Sequence, residues 1–266
     1  MWRYNAPMDW QDDGIILSVR RHGETSAIVT LLTHARGAHA GLVKGGYAKR
    51  KRAGIEPGNR VHATWRARLV EHLGNFHFET VHSYSAALMD SPNRLAGMAA
   101  ALAVCAAALP EREPHPKLYE VMGTLLDAME HDDISHHVEG WGSLYVKWEL
   151  GLLQELGFRL DLDHCAATGT TEDLVWVSPK SARAVSRDAG KPYEHQLLAL
   201  PPFIRNPNGI ADTVDEVLQG LKLTGYFLDS HIFMAHQRQM PQARARLMER
   251  LARSQTPKAS SFDTAV

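Results

Sequence analysis

The sequence holds only two cysteines in 266 residues, Cys105 and Cys165. Two thiols cannot make a disulfide framework or a four-thiolate zinc site, and a reducing compartment is the natural setting. Charge of one sign is lacking as well. Lys plus Arg is 29 against 30 Asp plus Glu, a net charge of -1, which excludes a histone-like polycation and a disordered acidic tail protein. Long hydrophobic runs are missing too. The longest uncharged stretch, Leu95 to Leu109, is 15 residues, rich in alanine and closed by Pro110, too short to span a bilayer. It reads as a buried helix. Met1 to Asp13 has scattered charge and no apolar segment, so no secretory signal is expected, and Met8 is an alternative start. The expected location is cytoplasmic, without membrane association. The Walker phosphate loop, the Gly-x-Ser-x-Gly elbow, His-Glu-x-x-His and the dinucleotide Gly-x-Gly-x-x-Gly are all absent, so an enzyme has no positive support.

What is present divides the chain. With 44% apolar and 22% charged residues it can bury one good core or two modest ones. The first 80 residues carry 12 basic side chains (Lys44, Lys49, Lys51 and nine arginines) against 7 acidic ones, whereas the rest carries 17 against 23. That asymmetry points to an anionic partner for the N-terminal part. Short β-branched runs fill it: Gly14 to Arg20, Ala27 to Thr33, Ala38 to Lys44, Arg60 to Leu69 and Phe76 to Val81, separated by Gly23-Glu24, Arg36-Gly37, the loop Gly45 to Asn59 and Gly74-Asn75. Five antiparallel strands of this size bury a core by closing, and the Greek-key OB-fold barrel is the favoured solution, with an SH3-like barrel competing.

Beyond Ser83 the period becomes helical. Ser91 and Pro92 open a helix to Leu109, and Pro116 to Glu130 sets Leu118, Val121, Met122, Leu125, Leu126 and Met129 on one stripe. Val138 to Leu156 is a longer helix ending at Gly157. Asp161 to Tyr193 loses the period and holds one strand-like piece, Leu174 to Val177; Thr213 to Leu251 is helical again, and a polar tail follows. The expected organisation is α+β with two domains. Residues 1–82 form the OB-fold barrel, 83–253 a mostly α-helical domain with a small irregular insertion at about 161–193, and 254–266 a disordered tail.

The chief chemical signal is the loop Lys44-Gly-Gly-Tyr47-Ala-Lys49-Arg50-Lys51-Arg52-Ala-Gly54. Its five cations stand beside a strand carrying Arg60, Arg66 and Arg68. Such a cluster places positive charge where a phosphate backbone can lie; the plainer alternatives are a solvated loop or a weak nucleotide or lipid contact. Trp65 alternates out of phase with Arg66 and Arg68 and so faces inward, and Phe76 and Phe78 read as barrel filling. Tyr47 is the better stacking candidate. Asp161, Asp163, His164 and Cys165 offer metal-ligand types without zinc spacing, and His131, His136 and His137 lack helix-borne pairing, so no metal or other cofactor is expected. A nuclease using Asp161 and Asp163 is the least favoured option.

The order of features resembles the RecO family of bacterial recombination-mediator proteins. Its N-terminal match is Trp10 to Gly37, including Gly14-Ile-Ile-Leu17-Ser-Val-Arg20-Arg-His-Gly23-Glu24, followed by Val43-Lys44-Gly45 and Glu56-Pro57-Gly58-Asn59. A second match is Trp148-Glu149-Leu150 through Gly157-Phe158 to Leu162, and the resemblance covers about Met8 to Leu251. It implies an OB-fold followed by a helical domain, in a non-enzymatic, nucleoid-associated protein of DNA repair. Such a protein binds single- and double-stranded DNA and anneals complementary strands. With the partner RecR it assists RecA loading on DNA coated by single-stranded DNA-binding protein, whose acidic C-terminal tail it contacts. Many relatives carry a four-cysteine zinc site in the insertion. Here Cys165 alone remains, with Thr168, Ser186 and Ala189 at the other positions, so the insertion is a degenerate zinc-finger-like element held by its own packing. The expected DNA contacts are Lys44, Tyr47, Lys49, Arg50, Lys51, Arg52, Arg60, Arg66 and Arg68. For the acidic tail, Arg205, Arg238, Arg244 and Arg246 are candidate cations. A sequence-independent RNA-binding adaptor with the same barrel is the alternative reading.

Overall fold

The computed structural model describes residues 8–47, 53–69, 71–131 and 137–255. Strands β1 (Met8–His22), β2 (Ser26–Thr33), β3 (Gly37–Val43), β4 (Asn59–Ala67) and β5 (Asn75–Ser83) close a barrel in the order β1-β2-β3-β5-β4. β1 makes closure possible. Its first half pairs with β4, from Met8 opposite Ala67 to Ile15 opposite Arg60, and its second half with β2, from Gly14 opposite Thr33 to His22 opposite Ser26. A register shift between Ile16 and Ser18 lets the strand turn from one neighbour to the other. β3 meets β5 in parallel at the single pair Leu42–Asn75. This is the OB-fold order, and it displaces the SH3-like alternative.

The first strand starts at Met8 rather than Gly14, because its polar first half is ordered by pairing with β4 and not by an apolar pattern of its own. The run Ile15-Ile16-Leu17 is continuous for a different reason. Ile16, Val29, Leu31, Val61, Ala63 and Trp65 fill the barrel, whereas Ile15, Leu17, Leu32 and Ala38 belong to the core of the helices outside it. Strands buried on both faces read as unbroken apolar segments.

The longer helices among the described residues are α1 (Pro92–Ala108), α2 (Pro116–Glu130), α3 (Val138–Glu155), α4 (Val214–Phe227) and α5 (Gln242–Ser254). Proline stands at the start of α1 and α2, where its missing N–H is not needed. Gly157 takes φ +86° after α3, the left-handed turn that ends a helix. On α2, Leu118, Met122, Leu125, Leu126 and Met129 are buried, but Val121, expected on the same stripe, is 45% exposed. The helical stretch after Thr213 is broken: α4 widens into a π-helical turn, Leu228–Phe233, and the chain bends through Gln237 at φ 55° before α5.

A buried ion pair ties α3, α4 and α5 together. Arg244 donates from Nε to Glu149 Oε1 at 2.7 Å and from Nη2 to Glu149 Oε2 at 2.8 Å, with both side chains almost wholly buried. Thr224 on α4 also donates to the carboxylate, and Arg244 reaches the Leu221 carbonyl at 2.6 Å. A two-toothed pair with its remaining groups satisfied offsets the desolvation of both charges.

The insertion between α3 and α4 carries a small sheet of order β7-β6-β8, formed by β6 (Leu174–Val177), β7 (Ala184–Ser186) and β8 (Leu198–Ala199). Only β6 has a visible sequence pattern. Cys165 is buried, and its Sγ accepts from the Ser186 backbone N–H at 3.3 Å and lies 3.4 Å from Ser186 Oγ. Arg183, just before β7 on the same edge, binds Asp161 at 3.2 Å.

Candidate nucleic-acid interface

Alternation along β4 decides which side chains reach solvent. Val61, Ala63, Trp65 and Ala67 are buried, His62 and Arg66 are exposed, and Arg68 just past the strand end is exposed as well. Trp65 faces inward, as its phase requires, and donates from Nε1 to the Leu73 carbonyl at 3.0 Å. Arg66 stands opposite Asp9 on β1 and Asn75 on β5. Its Nε is 3.8 Å from Asp9 Oδ2, with both side chains largely exposed. A pair of that kind is worth at most about 1 kcal/mol, so a phosphate can take the place of Asp9.

Asn75 in turn pairs with Leu42, two residues before the exposed Lys44. With strands about 4.8 Å apart, Arg66, Arg68 and Lys44 flank the start of β5 from both sides. Tyr47 joins this end of β3: its N–H donates to the Thr25 carbonyl at 2.9 Å, and its ring packs half-buried on the barrel. The guanidinium of Arg21 lies over that ring, 5.8 Å from its centre. Arg21 was absent from the expected contacts, although its place at the end of β1 beside the Gly23-Glu24 turn is readable as an exposed strand terminus. Lys49, Arg50, Lys51 and Arg52 lie outside the described residues.

Arg60 lies elsewhere on the barrel. Half-buried on β4 opposite His82 of β5, it lies near Tyr119, Tyr84 and Asp127, which raise its pKa above the ordinary arginine value, while among the described residues the Tyr119 hydroxyl has no hydrogen-bond partner. The Tyr84 hydroxyl donates to Asp127, and His82 Nε2 sits 2.7 Å from Glu130 Oε2. Arg60 thus belongs to the seam between barrel and helices and stands apart from the exposed cations.

The barrel interior beneath β4 is aromatic. Trp10 stacks on Trp65 with ring centres 5.7 Å apart, and His39 meets each of them edge-on at 5.0 Å. Gly41 and Gly74 leave the room this needs, since a Cβ on either would collide with Phe76 or Trp65. Among the described residues, neither ring nitrogen of the buried His39 has a hydrogen-bond partner. Burial first, then the charges of Arg112 and Arg36, holds its pKa down to about 4.

The four arginines considered for a peptide pocket separate clearly. Arg244 is consumed by Glu149. Arg238 donates to the Ala107 carbonyl at 2.6 Å, on a cleft that also holds Glu113 and Glu155. Arg246 is exposed and, among the described residues, reaches only Gln242, at 3.4 Å. Arg205, which donates to the Leu162 and Thr171 carbonyls at 3.2 and 3.0 Å, borders a cleft of about 550 Å³ with Leu174, Trp176, Leu200 and Pro201 on its walls and Arg187 at its edge. Asp161 is engaged by Arg183, and among the described residues no group of three His, Cys, Asp or Glu side chains is placed to hold a metal ion. Among the same residues no helix is long and apolar enough to cross a membrane.

The fold and this surface define a two-domain protein built on an OB barrel with a cationic flank. Two family models match it: "Recombination protein O N terminal" over residues 8–84 and "Recombination protein O C terminal" over residues 89–261. Curated relatives agree over nearly their whole length. The chain is 49% identical to the "DNA repair protein RecO" of Rhodospirillum centenum, over 94% of this chain and 97% of that one. It is 49% identical to that of Phenylobacterium zucineum, over 92% and 98%, and 46% identical to that of Caulobacter vibrioides, over 92% and 98%. The chain belongs to the Recombination protein O family of DNA repair proteins.

His39 makes stability depend on pH. The unfolded chain takes up a proton near the ordinary histidine value of about 6.5, the folded chain only near 4, so between these values the unfolded state holds more protons. The stability contribution is complete above about pH 6.5 and is lost as pH falls toward 4. Chemical unfolding at pH 7 and pH 4.5 should show His39→Phe losing about 2.5 kcal/mol less than the parent across that interval. Equal losses would mean that His39 is hydrated or paired in solution.

Proposed function

We propose that the barrel binds single- and double-stranded DNA through its sugar-phosphate chain, without regard to sequence, and that the protein is a non-catalytic mediator of recombination. The observation that carries this is the exposed group Arg66, Arg68 and Lys44 around the start of β5, at the root of a loop with four further cations in sequence. Neutralising phosphates with these side chains releases counterions, which drives binding at low salt and weakens it as salt rises. Arg60 is left out of this contact because it is half-buried beside Tyr84, Tyr119 and Asp127, away from the start of β5.

Annealing of complementary strands follows from the same charge, since two strands approach only where their repulsion is screened. The family likeness supports action with RecR on DNA coated by single-stranded DNA-binding protein, to the benefit of RecA loading. For the acidic, apolar-ended tail of that coating protein, the cleft at Arg205 fits best. It sets two arginines against one carboxylate, Asp173, which Arg187 already engages at 3.1 Å. The Arg238 cleft sets its cation against two glutamates.

Binding of a labelled single strand across a salt series tests the DNA reading. The triple variant Lys44→Ala, Arg66→Ala, Arg68→Ala should flatten the slope of log K against log salt by up to about 0.7 for each phosphate no longer neutralised; an unchanged slope removes these residues from the contact. An RNA strand of equal length, competing as well as DNA, would favour the RNA-adaptor reading. For the tail, fluorescence anisotropy of a labelled acidic-hydrophobic peptide should rise with the parent protein. With Arg205→Glu, affinity should fall roughly tenfold or more, the scale of one charge-assisted hydrogen bond of about 1.5–3 kcal/mol. Equal affinity would exclude that cleft.

A further inference from the structure

β3 and β5 pair only at Leu42 and Asn75, and next to that pair the barrel wall opens into a cleft of about 360 Å³. The size falls within the roughly 300–1,000 Å³ typical of small-molecule sites. One wall is the β5 segment Asn75 to Phe78; the other is Val43-Lys44 with Gly54-Ile55. Phe76 is buried at the floor, whereas the ring of Phe78 is only half-covered, and Asn75 and His77 stand exposed at the rim. The cleft therefore offers an aromatic face, an apolar floor, an amide and an imidazole at its mouth, and an ammonium group beside them.

We propose that this cleft receives one unpaired nucleobase, stacked on Phe78, from a strand whose phosphates lie on Lys44 and Arg66. The inference rests on the DNA reading above and adds to it a reason to prefer single strands. A flat ring with hydrogen-bonding edges and a charged phosphate tether matches each feature of the cleft, whereas an aliphatic side chain would use only the floor. A base inside a duplex is stacked and paired and cannot enter without leaving the helix. The cations then serve both kinds of DNA, and the cleft serves one. Stacking on an aromatic ring is tolerant of base identity, so the site keeps the binding sequence-blind.

The experiment compares a single-stranded oligonucleotide with a strand of equal length made only of abasic sugar-phosphate units, across a salt series. The parent protein should bind the base-bearing strand at least about fivefold more tightly, the lower end of one stacking contact. Phe78→Ala should bring both strands to the same affinity with the salt slope unchanged. Because Phe78 also packs on the barrel, a second variant fills the cleft from the other wall: among the described residues a Cβ added at Gly54 meets only Thr80 Oγ1, at 3.4 Å, so Gly54→Leu should fold and should abolish the preference as well. Equal binding of both strands by the parent, or a preference that survives both variants, overturns the cleft while leaving the phosphate contact standing. Failure of the parent to bind either strand overturns both.

Discussion

The barrel closes because β1 is shared. Fifteen residues long, it is the one strand with two antiparallel neighbours along successive halves, and the slip at Leu17 swings it from β4 to β2. Its side chains alternate between two cores, Ile16 to the barrel and Ile15 with Leu17 to the helices. One strand thus sets the curvature of the sheet and fastens the helical domain to its back. The opposite side, where β3 and β5 meet at one pair, stays open to solvent, and it is there that the cations and the half-covered phenylalanine collect.

Much of this was legible in the residues. Alternation from Arg60 to Leu69 placed Trp65 inside and Arg66 and Arg68 outside, because period two on a half-buried strand leaves little choice. Prolines and Gly157 marked the ends of α1, α2 and α3 closely, since the missing N–H and the left-handed turn are local requirements. The first half of β1 was not legible: Asp9, Gln11 and Asp13 look like a polar leader until β4 is laid beside them. The two minor strands of the insertion, two and three residues long, are too short for any period to show.

The candidate surface was legible in composition but not in every member. Arg60 shares its phase with Arg66, and only the tertiary fold, by bringing Tyr84, Tyr119 and Asp127 near it, sets it at the domain seam. Arg244 looks in sequence like its neighbour Arg246, yet burial opposite Glu149 gives it a purely structural part. Conversely Phe78 looks like core filling; the β3–β5 pairing, confined to one pair, leaves its ring at a cleft edge. Charges of one type take unlike parts because desolvation, not identity, decides what each can do.

The central claim, that nucleic acid lies across the start of β5, is tested most directly by position-specific photocrosslinking. A benzophenone side chain replaces Asn75 in one variant and Tyr226, 41% exposed on α4, in another, and each is irradiated with a labelled single strand at low salt. The account predicts crosslinked DNA from position 75 and background from position 226. Equal yields from the two positions, or a yield at 226 alone, would contradict it.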